Sequence, residues 1–331
     1  MLLQRIRRRD LLRLLGTGVA GRPLRGMAQP STVPVIGYLS SKNATAETAI
    51  VGPILESLGR AGFVDGRNLS ILYRWSEGEY DRLPAQAAGL VERKVDVILA
   101  SGVPATLAAK AATASIPIVF RLAVDPVAFG LAKSMNRPGG NLTGVTMLFD
   151  PLTPKKMELL QELVPQTRAV GFVINPQNRN AASHKEHAET AAKSLGLRLI
   201  VLAASRAEDI EPVFAAARRQ GLGAILVGDD PFFDVKKTEL VAAAASNRIP
   251  TMFYVRDFVD AGGLISYGPS FEEMARLVGD YAARILKGTS PAALPIGQPT
   301  KIELIVNAGA ARTLGLAVPL ALLARANEVI D

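Results

Sequence analysis

Residues 95–106, with the sequence VDVILASGVPAT, place a short apolar run directly before a segment of small residues. Val95–Ala100 is a nearly continuous hydrophobic run, which is typical of a strand buried on both faces of a parallel sheet. The Ala-rich stretch Pro104–Ala114 has the composition of a helix. We therefore predict a buried strand that leads at once into a helix.

The same alternation extends in both directions along the chain. Runs rich in Val, Ile and Leu are predicted to be strands, and Ala-rich stretches such as Phe233–Asn247 are predicted to be single helices. The further predicted strands are Val35–Leu39, Leu69–Trp75, Ile116–Phe120, Ala169–Ile174, Arg198–Leu202, Ala224–Val227, Thr251–Phe253, Gly263–Tyr267 and Lys301–Val306. This pattern predicts an α/β fold of right-handed βαβ units with doubly wound parallel sheets.

Residues 1–28 differ from the rest of the chain. Arginines crowd residues 5–13, an apolar stretch follows at 14–21, and Gly26-Met27-Ala28 supplies small residues at the end. This layout predicts an export signal peptide, and Arg8-Arg9 with the residues after it also resembles a twin-arginine motif. The alternative is a basic amphipathic arm. With export, the protein is expected to be periplasmic.

Charge and cysteine content narrow the function classes. The net charge of +8 suggests a nucleic-acid partner, but residues 1–28 hold seven Arg and one Asp, so the remaining chain carries only +2. We therefore expect no nucleic-acid partner. No apolar segment reaches the ~20 residues needed to span a bilayer, so we expect no direct membrane insertion. The absence of cysteine excludes disulfides, thiolate metal sites and a lipoprotein anchor.

The length after residue 28 exceeds the comfortable size of one core, so we predict two lobes. Pro138-Gly139-Gly140 breaks the pattern, which predicts the first crossing between lobes near Asn141–Asp150. A return is expected around Val255–Gly268. Lobe 1 is then formed by residues 33–145 and 255–331, and lobe 2 by residues 146–254. Several crossing strands make a hinge of the kind that closes around ligands.

Polar residues follow the first and third strands, where open parallel sheets bind ligands. Ser40, Ser41 and Ser101 each precede a predicted helix. Together with free backbone N–H groups at a helix N-terminus, these hydroxyls suit a carboxylate or another anion. The alternative is that the serines merely cap their helices.

Later strand ends offer partners for an amine and an apolar group. Asp125 precedes Pro126 and is a candidate for a ligand ammonium, or an N-cap. Asn175 is a candidate ligand contact, Asp229 or Asp230 a partner for an amine, and Phe232 or Phe233 an apolar wall; turns, caps and core packing are the alternatives. Tyr267 offers a ring for stacking on a ligand, or serves the core.

Enzyme signatures are missing from the sequence. No nucleophile elbow, Walker loop or dinucleotide fingerprint occurs. The two histidines, His184 and His187, are predicted to lie on a solvated helix face rather than to bind zinc. We therefore expect no catalytic residue, no cofactor and no metal.

Several motifs together resemble one family. They include residues 73–78 (YRWSEG), 137–144 (RPGGNLTG), 228–233 (GDDPFF), 261–268 (AGGLISYG) and 294–301 (LPIGQPTK). In order and number they resemble the ABC transporter substrate-binding protein family that includes tryptophan/tyrosine-type periplasmic binders. The resemblance spans essentially the whole chain after residue 28.

The resemblance implies a type I periplasmic-binding fold that holds a small solute between two lobes joined by a hinge. It implies a monomeric carrier that delivers the solute to a membrane permease driven by a separate ATPase. The implied solute is an amino acid, including an aromatic one, or a related carboxylate. By position Pro104 and Ala105 join Ser40, Ser101 and Asp125 as ligand-facing residues. One departure is the bulky pair Arg121-Leu122, which replaces a smaller segment and is expected to alter or fill the pocket.

Three other functions fit parts of the pattern. An extracytoplasmic sensor would present the same solute to a receptor instead of a permease. A transcriptional regulator would need an N-terminal DNA-binding module, where this chain has the basic leader. An α/β enzyme is compatible with the fold alone, but lacks the motifs sought above.

Overall fold

The first sheet forms from the apolar runs of the N-terminal half. The computed structural model describes residues 33–331, so the predicted signal peptide at 1–28 lies outside the described residues. The strands are β1 (Val35–Ser40), β2 (Ser70–Trp75), β3 (Val97–Ser101), β4 (Ile118–Leu122) and β5 (Leu142–Thr146). They run parallel in the order β2-β1-β3-β4-β5. Helices α1 (Thr48–Arg60), α2 (Leu83–Glu92) and α3 (Val103–Ala112) connect them.

Strand β5 lies at the first crossing between lobes, which was expected near residues 141–150. Residues 142–146 pair with β4 at the edge of the first sheet. Gly144 makes this pairing possible, because a Cβ there would lie 2.1 Å from the carbonyl oxygen of Phe120. The chain leaves the first sheet after Thr146, within the expected range.

The second sheet has seven strands in the order β12-β11-β10-β9-β8-β6-β7. The strands are β6 (Ala169–Ile174), β7 (Arg198–Ala203), β8 (Ala224–Val227), β9 (Thr251–Phe253), β10 (Ile265–Pro269), β11 (Ile302–Asn307) and β12 (Glu328–Ile330). All neighbours are parallel except β10 and β11, which pair antiparallel. The α/β fold class is confirmed, with one departure from purely parallel pairing.

Helices cover the second sheet and close the chain. They are α4 (Thr153–Leu163), α5 (Ala181–Ser194), α6 (Ala207–Arg219), α7 (Pro231–Val235), α8 (Lys237–Ser246), α9 (Arg256–Asp260), α10 (Phe271–Leu286), α11 (Ala308–Thr313) and α12 (Leu320–Leu323). The predicted single helix at 233–247 is two helices that meet at Lys236, whose ψ of 24° is not helical. Among residues 33–331, no helix is both long and apolar enough to cross a membrane.

The C-terminal segment divides between the two lobes. Residues 255–331 were expected in lobe 1, but β10, β11 and β12 all belong to the second sheet. The reason is local: the short helix α9 joins β9 to β10 as neighbouring parallel strands, and β11 then pairs with β10. Only α10 and residues 291–297 return to the first lobe, where α10 packs on α1 and Gly297 bridges to Val145.

Helix α10 is held against α1 by a close approach of the two backbones. Its buried residues Met274, Ala275, Val278 and Ala282 recur at helical spacing. A Cβ at Gly279 would lie 2.7 Å from the carbonyl oxygen of Ile54 on α1. This contact joins the returning segment to the lobe that it left.

We predict that Gly279→Ala destabilises the protein by ~1–3 kcal/mol, because the added methyl group overpacks this interface. The control is Gly59→Ala in α1, where no atom lies within 4 Å of the new Cβ. It should stabilise the protein by up to ~1 kcal/mol through helix propensity. Urea unfolding measures both variants, and the same sign of change for the two would contradict the packing argument.

Candidate functional site

A cavity lies between the carboxyl ends of the two sheets. Its walls come from both lobes and from the segments that cross between them. The lining residues used below are Lys42, Gly102, Val103, Arg121, Leu122, Met147, Phe149, Asn178, Asn180, Asp229, Asp230, Pro231, Asp234, Tyr254, Phe271 and Met274. The cavity therefore combines charges of both signs with aromatic and apolar surfaces.

The carboxylate of Glu47 is the centre of a polar network behind the first-lobe wall of this cavity. Glu47, the residue directly before α1, is fully buried. Its Oε1 lies 2.8 Å from Nη2 of Arg121, at the end of β4, and 3.8 Å from Nζ of Lys42. Burial alone would raise the pKa of Glu47, but the Arg121 and Lys42 charges outweigh it and hold the pKa below its ordinary value.

Hydroxyl groups complete the Glu47 network. Tyr38 donates to Oε2 of Glu47 at 2.5 Å, and Ser40 and Ser101 donate to Oε1 at 3.1 and 2.8 Å. The hydroxyl of Ser101 also accepts a hydrogen bond from Arg121. These groups come from β1, β3 and β4, so one carboxylate joins the ends of three adjacent strands.

Two polar contacts cross the cavity from lobe to lobe. Nζ of Lys42 lies 2.6 Å from Oδ2 of Asp234 on α7, and both side chains are nearly buried. The hydroxyl of Tyr80 donates to Oδ1 of Asp230 at 2.7 Å. Close packing accompanies them, since a Cβ at Gly102 would lie 3.2 Å from Cγ of Pro231. The first and second lobes therefore meet through specific pairs.

Asp230 is fully engaged by the protein. Its carboxylate accepts hydrogen bonds from Tyr80, from the side-chain amides of Asn175 and Asn178, and from the backbone N–H of Phe232. The bond to Phe232 caps α7. Little acceptor capacity is left for a ligand at this carboxylate.

Asp229 has a different environment. Its Oδ1 lies 3.2 Å from Nε2 of His184, which is also 3.6 Å from Asp150. Burial is the largest cause that raises the pKa of Asp229, to about 6, with His184 and Lys156 acting in the opposite direction. Lys156 lies over the ring of Phe149, and burial lowers its pKa to about 8. Asp229 is thus a carboxylate at the second-lobe wall that is only 10% exposed and has a raised pKa.

The structure separates the residues that the sequence singled out. Asp229 lines the cavity, whereas Ser40 and Ser101 lie behind it in the Glu47 network. Ser41 accepts from the backbone N–H of Ala105 in α3, so it caps the helix that begins beside Pro104. The remaining candidates do not line the cavity: Asn175 orients Asp230, Phe233 is fully buried, and Tyr267 packs in the second-lobe core.

The structure also shows the environments of Asp125 and of the two histidines. Asp125 is exposed and accepts from the backbone N–H of Val127, as in the capping alternative. His184, expected on a solvated helix face, is only 4% exposed because helix α5 turns it toward Asp229, whereas His187 is exposed. Among residues 33–331, no group of three His, Asp or Glu side chains is arranged to hold a metal ion.

Several residues of the site were missed from the sequence. Glu47 and Lys42 were not among the candidates taken from the sequence. Arg121 was expected to alter or fill the pocket, and it lines the wall because Glu47 neutralises it. A charge inside the buried run of β4 was the available signal, since such a charge requires a buried partner.

Comparisons with known proteins agree with this architecture. A family model described as ABC transporter substrate binding protein matches residues 35–330. A curated tyrosine-binding protein from Clostridioides difficile is 25% identical over 263 residues, which cover 79% of this chain and 75% of that protein. These matches confirm the family resemblance seen in the sequence.

Two solved structures are similar over 90% of this chain and all of their own. A conserved domain protein from Vibrio cholerae has a TM-score of 0.84 at 27% identity. An ABC domain in complex with L-Trp from Streptococcus pneumonia has a TM-score of 0.82 at 23% identity. Further similarity to periplasmic binding proteins confirms the two-lobe type I periplasmic-binding fold.

The raised pKa of Asp229 predicts a pH-dependent stability. The folded state binds this proton more tightly than the unfolded state, so the contribution of Asp229 to stability falls as pH rises from about 4 to about 6. Asp229→Asn should therefore gain stability relative to the unmodified protein over this range, by up to ~3 kcal/mol. Urea unfolding at pH 4 and pH 7 measures the difference.

Asp209→Asn is the control with the opposite sign. Backbone hydrogen bonds from Ser205, then Arg206, hold the pKa of Asp209 below its ordinary value. Its removal should destabilise the protein at pH 7 and give no gain as pH rises. A stability difference for Asp229→Asn that is the same at both pH values would contradict the buried-carboxylate argument.

Proposed function

The chain belongs to the ABC transporter substrate-binding protein family, whose members similar to it are binding proteins rather than enzymes, and we propose that it is the extracytoplasmic solute-binding protein of an ABC importer. In this role it captures a small solute between its two lobes. It then delivers the solute to a membrane permease, which a separate ATPase drives.

The observation that carries this proposal is the cavity between the lobes together with the pairs Lys42–Asp234 and Tyr80–Asp230 that cross it. Each pair joins side chains of opposite lobes at hydrogen-bond distance, so separation of the lobes would break it. A solute that contacts both walls adds further contacts to the closed form alone and shifts the population toward it. Closure then presents a joint surface of both lobes to the permease.

The solute that fits the cavity best is an amino acid, including an aromatic one, or a related carboxylate. Arg121 supplies a cationic group at one wall and Asp229 an anionic group at the other. The rings of Phe149, Tyr254 and Phe271 provide an apolar surface for a side chain. The names of two relatives, a tyrosine-binding protein and an L-Trp complex, point to the same ligand class.

The cellular setting follows from the leader. Export through the predicted signal peptide at residues 1–28 places the mature protein in the periplasm, without a lipid anchor because the chain has no cysteine. We propose that the mature carrier acts as a monomer. Its two lobes already supply both walls of the cavity.

The test is a binding screen of the mature protein, residues 29–331, by thermal shift and isothermal titration calorimetry. The library contains the twenty amino acids, aromatic acids and other small carboxylates. A bound solute should raise the unfolding midpoint, since ~2.7 kcal/mol of stability is gained at a hundredfold excess over Kd. A well-folded protein that responds to no member would contradict the proposed ligand class.

A pair of variants tests whether the solute lies in the interlobe cavity. Asp229→Asn should weaken binding of an amino acid ~10- to 100-fold, because a charge-assisted hydrogen bond to its ammonium is lost. Asp81→Asn, at an exposed residue outside this cavity, should bind like the unmodified protein. Equal affinities for the two variants would place the solute elsewhere.

A further inference from the structure

Arg121 has a donor that the protein leaves unused. Its side chain is 7% exposed and lies at the cavity wall. Nη2 donates to Glu47 and Ser101. Among the described residues, Nε of Arg121 has no hydrogen-bond partner. A buried guanidinium N–H without a partner is costly, so this edge of Arg121 is prepared for an acceptor that is not part of the protein.

The N-terminus of helix α3 lies at the same wall. Gly102 and Val103 both line the cavity, and the ten-residue helix that they begin has no acidic residue in its first turn. Residue 104 is a proline, and the N–H groups of Gly102 and Ala105 already donate to Arg121 and Ser41. The N–H of Val103 and the helix dipole are therefore what this end offers to an anion. Helix and guanidinium therefore present one positive surface.

The other groups of the first-lobe wall are already occupied. The hydroxyls of Ser40 and Ser101 donate to Glu47, and that of Ser41 accepts from Ala105. Lys42 is held by Asp234 and Glu47. Arg121 differs from these groups because its buried Nε has no hydrogen-bond partner among the described residues.

The second-lobe wall has the opposite character. Oδ1 of Asn180, a residue that is 3% exposed, has no hydrogen-bond partner among the described residues. Asp229 lies at the same wall, and Asp230 and Asp234 are engaged elsewhere. The unused capacity here is for accepting hydrogen bonds.

We propose that Arg121 determines specificity: its Nε and the N-terminus of α3 bind the carboxylate of the solute, while Asn180 and Asp229 receive its ammonium. The carboxylate is then obligatory, and the solute lies in one orientation with its acid toward the first sheet. This inference rests on the proposed function, because it concerns the same cavity. It extends that function by naming which solutes the cavity rejects.

The first arm of the test compares ligands on the mature protein by calorimetry. Each of the twenty amino acids is compared with its decarboxylated amine, for example L-tyrosine with tyramine and L-tryptophan with tryptamine, and with its deaminated acid. We expect the decarboxylated amine to bind at least ~10-fold more weakly than its amino acid, because a charged hydrogen bond is lost.

The second arm is Arg121→Lys, which keeps a positive charge beside Glu47 but removes the guanidinium. Binding of the amino acid should weaken ~10- to 100-fold, and binding of the decarboxylated amine should not change. Arg198→Lys, at an exposed residue of β7, is the matched control and should bind like the unmodified protein. Circular dichroism and the unfolding midpoint show whether Arg121→Lys folds.

If Arg121→Lys does not fold, the comparison of ligands on the unmodified protein decides alone. An amine that binds as tightly as its amino acid would overturn the role of Arg121 and leave the proposed function standing. Binding of a solute that has neither an amine nor a carboxylate would also overturn the role of Arg121 and leave the proposed function standing. Failure of every amino acid, amine and acid to bind would overturn both proposals together.

Discussion

The site depends on the buried carboxylate of Glu47. A carboxylate without solvent is unfavourable unless cations and hydrogen-bond donors surround it. Arg121 and Lys42 supply the charge, and Tyr38, Ser40 and Ser101 supply hydroxyls. Because these groups stand at the ends of adjacent strands, satisfying Glu47 also fixes the first-lobe wall. Lys42 then carries the network across the cavity to Asp234.

This arrangement links binding to closure. The two lobes are joined by three crossing segments, at residues 147–152, 269–271 and 298–301, and the pairs Lys42–Asp234 and Tyr80–Asp230 bring them together around a polar cavity. A buried ion pair contributes little net stability once desolvation is included, but a broken one is costly. The cross-cavity pairs therefore fix the geometry of the closed state more than its stability, and a solute with matching charges supplies the stabilisation.

The features that were predicted correctly from the sequence are those that depend on the local pattern of residues. Continuous apolar runs such as Ala169–Ile174 marked the strands, and the strand-end rule led to Asp229. The prediction failed where the structure depends on pairing between residues that are far apart in the sequence. The Gly- and Thr-containing run at 142–146 lacked the apolar pattern of a strand. The membership of β10–β12 in the second sheet depended on the pairing of β10 with β9 and of β11 with β10. The role of Glu47 could not be predicted from the local sequence, because its partners lie up to 74 residues away.

The measurement that tests the central claim most directly is the distance between the lobes with and without solute. Since the chain has no cysteine, spin labels at Glu79→Cys and Arg206→Cys are the only labels. These two residues line a second groove, outside the cavity described above, to which both lobes contribute. The account predicts that a saturating solute from the binding screen removes the longer distances of the ligand-free distribution in double electron–electron resonance. An unchanged distribution under saturation would contradict closure around the solute.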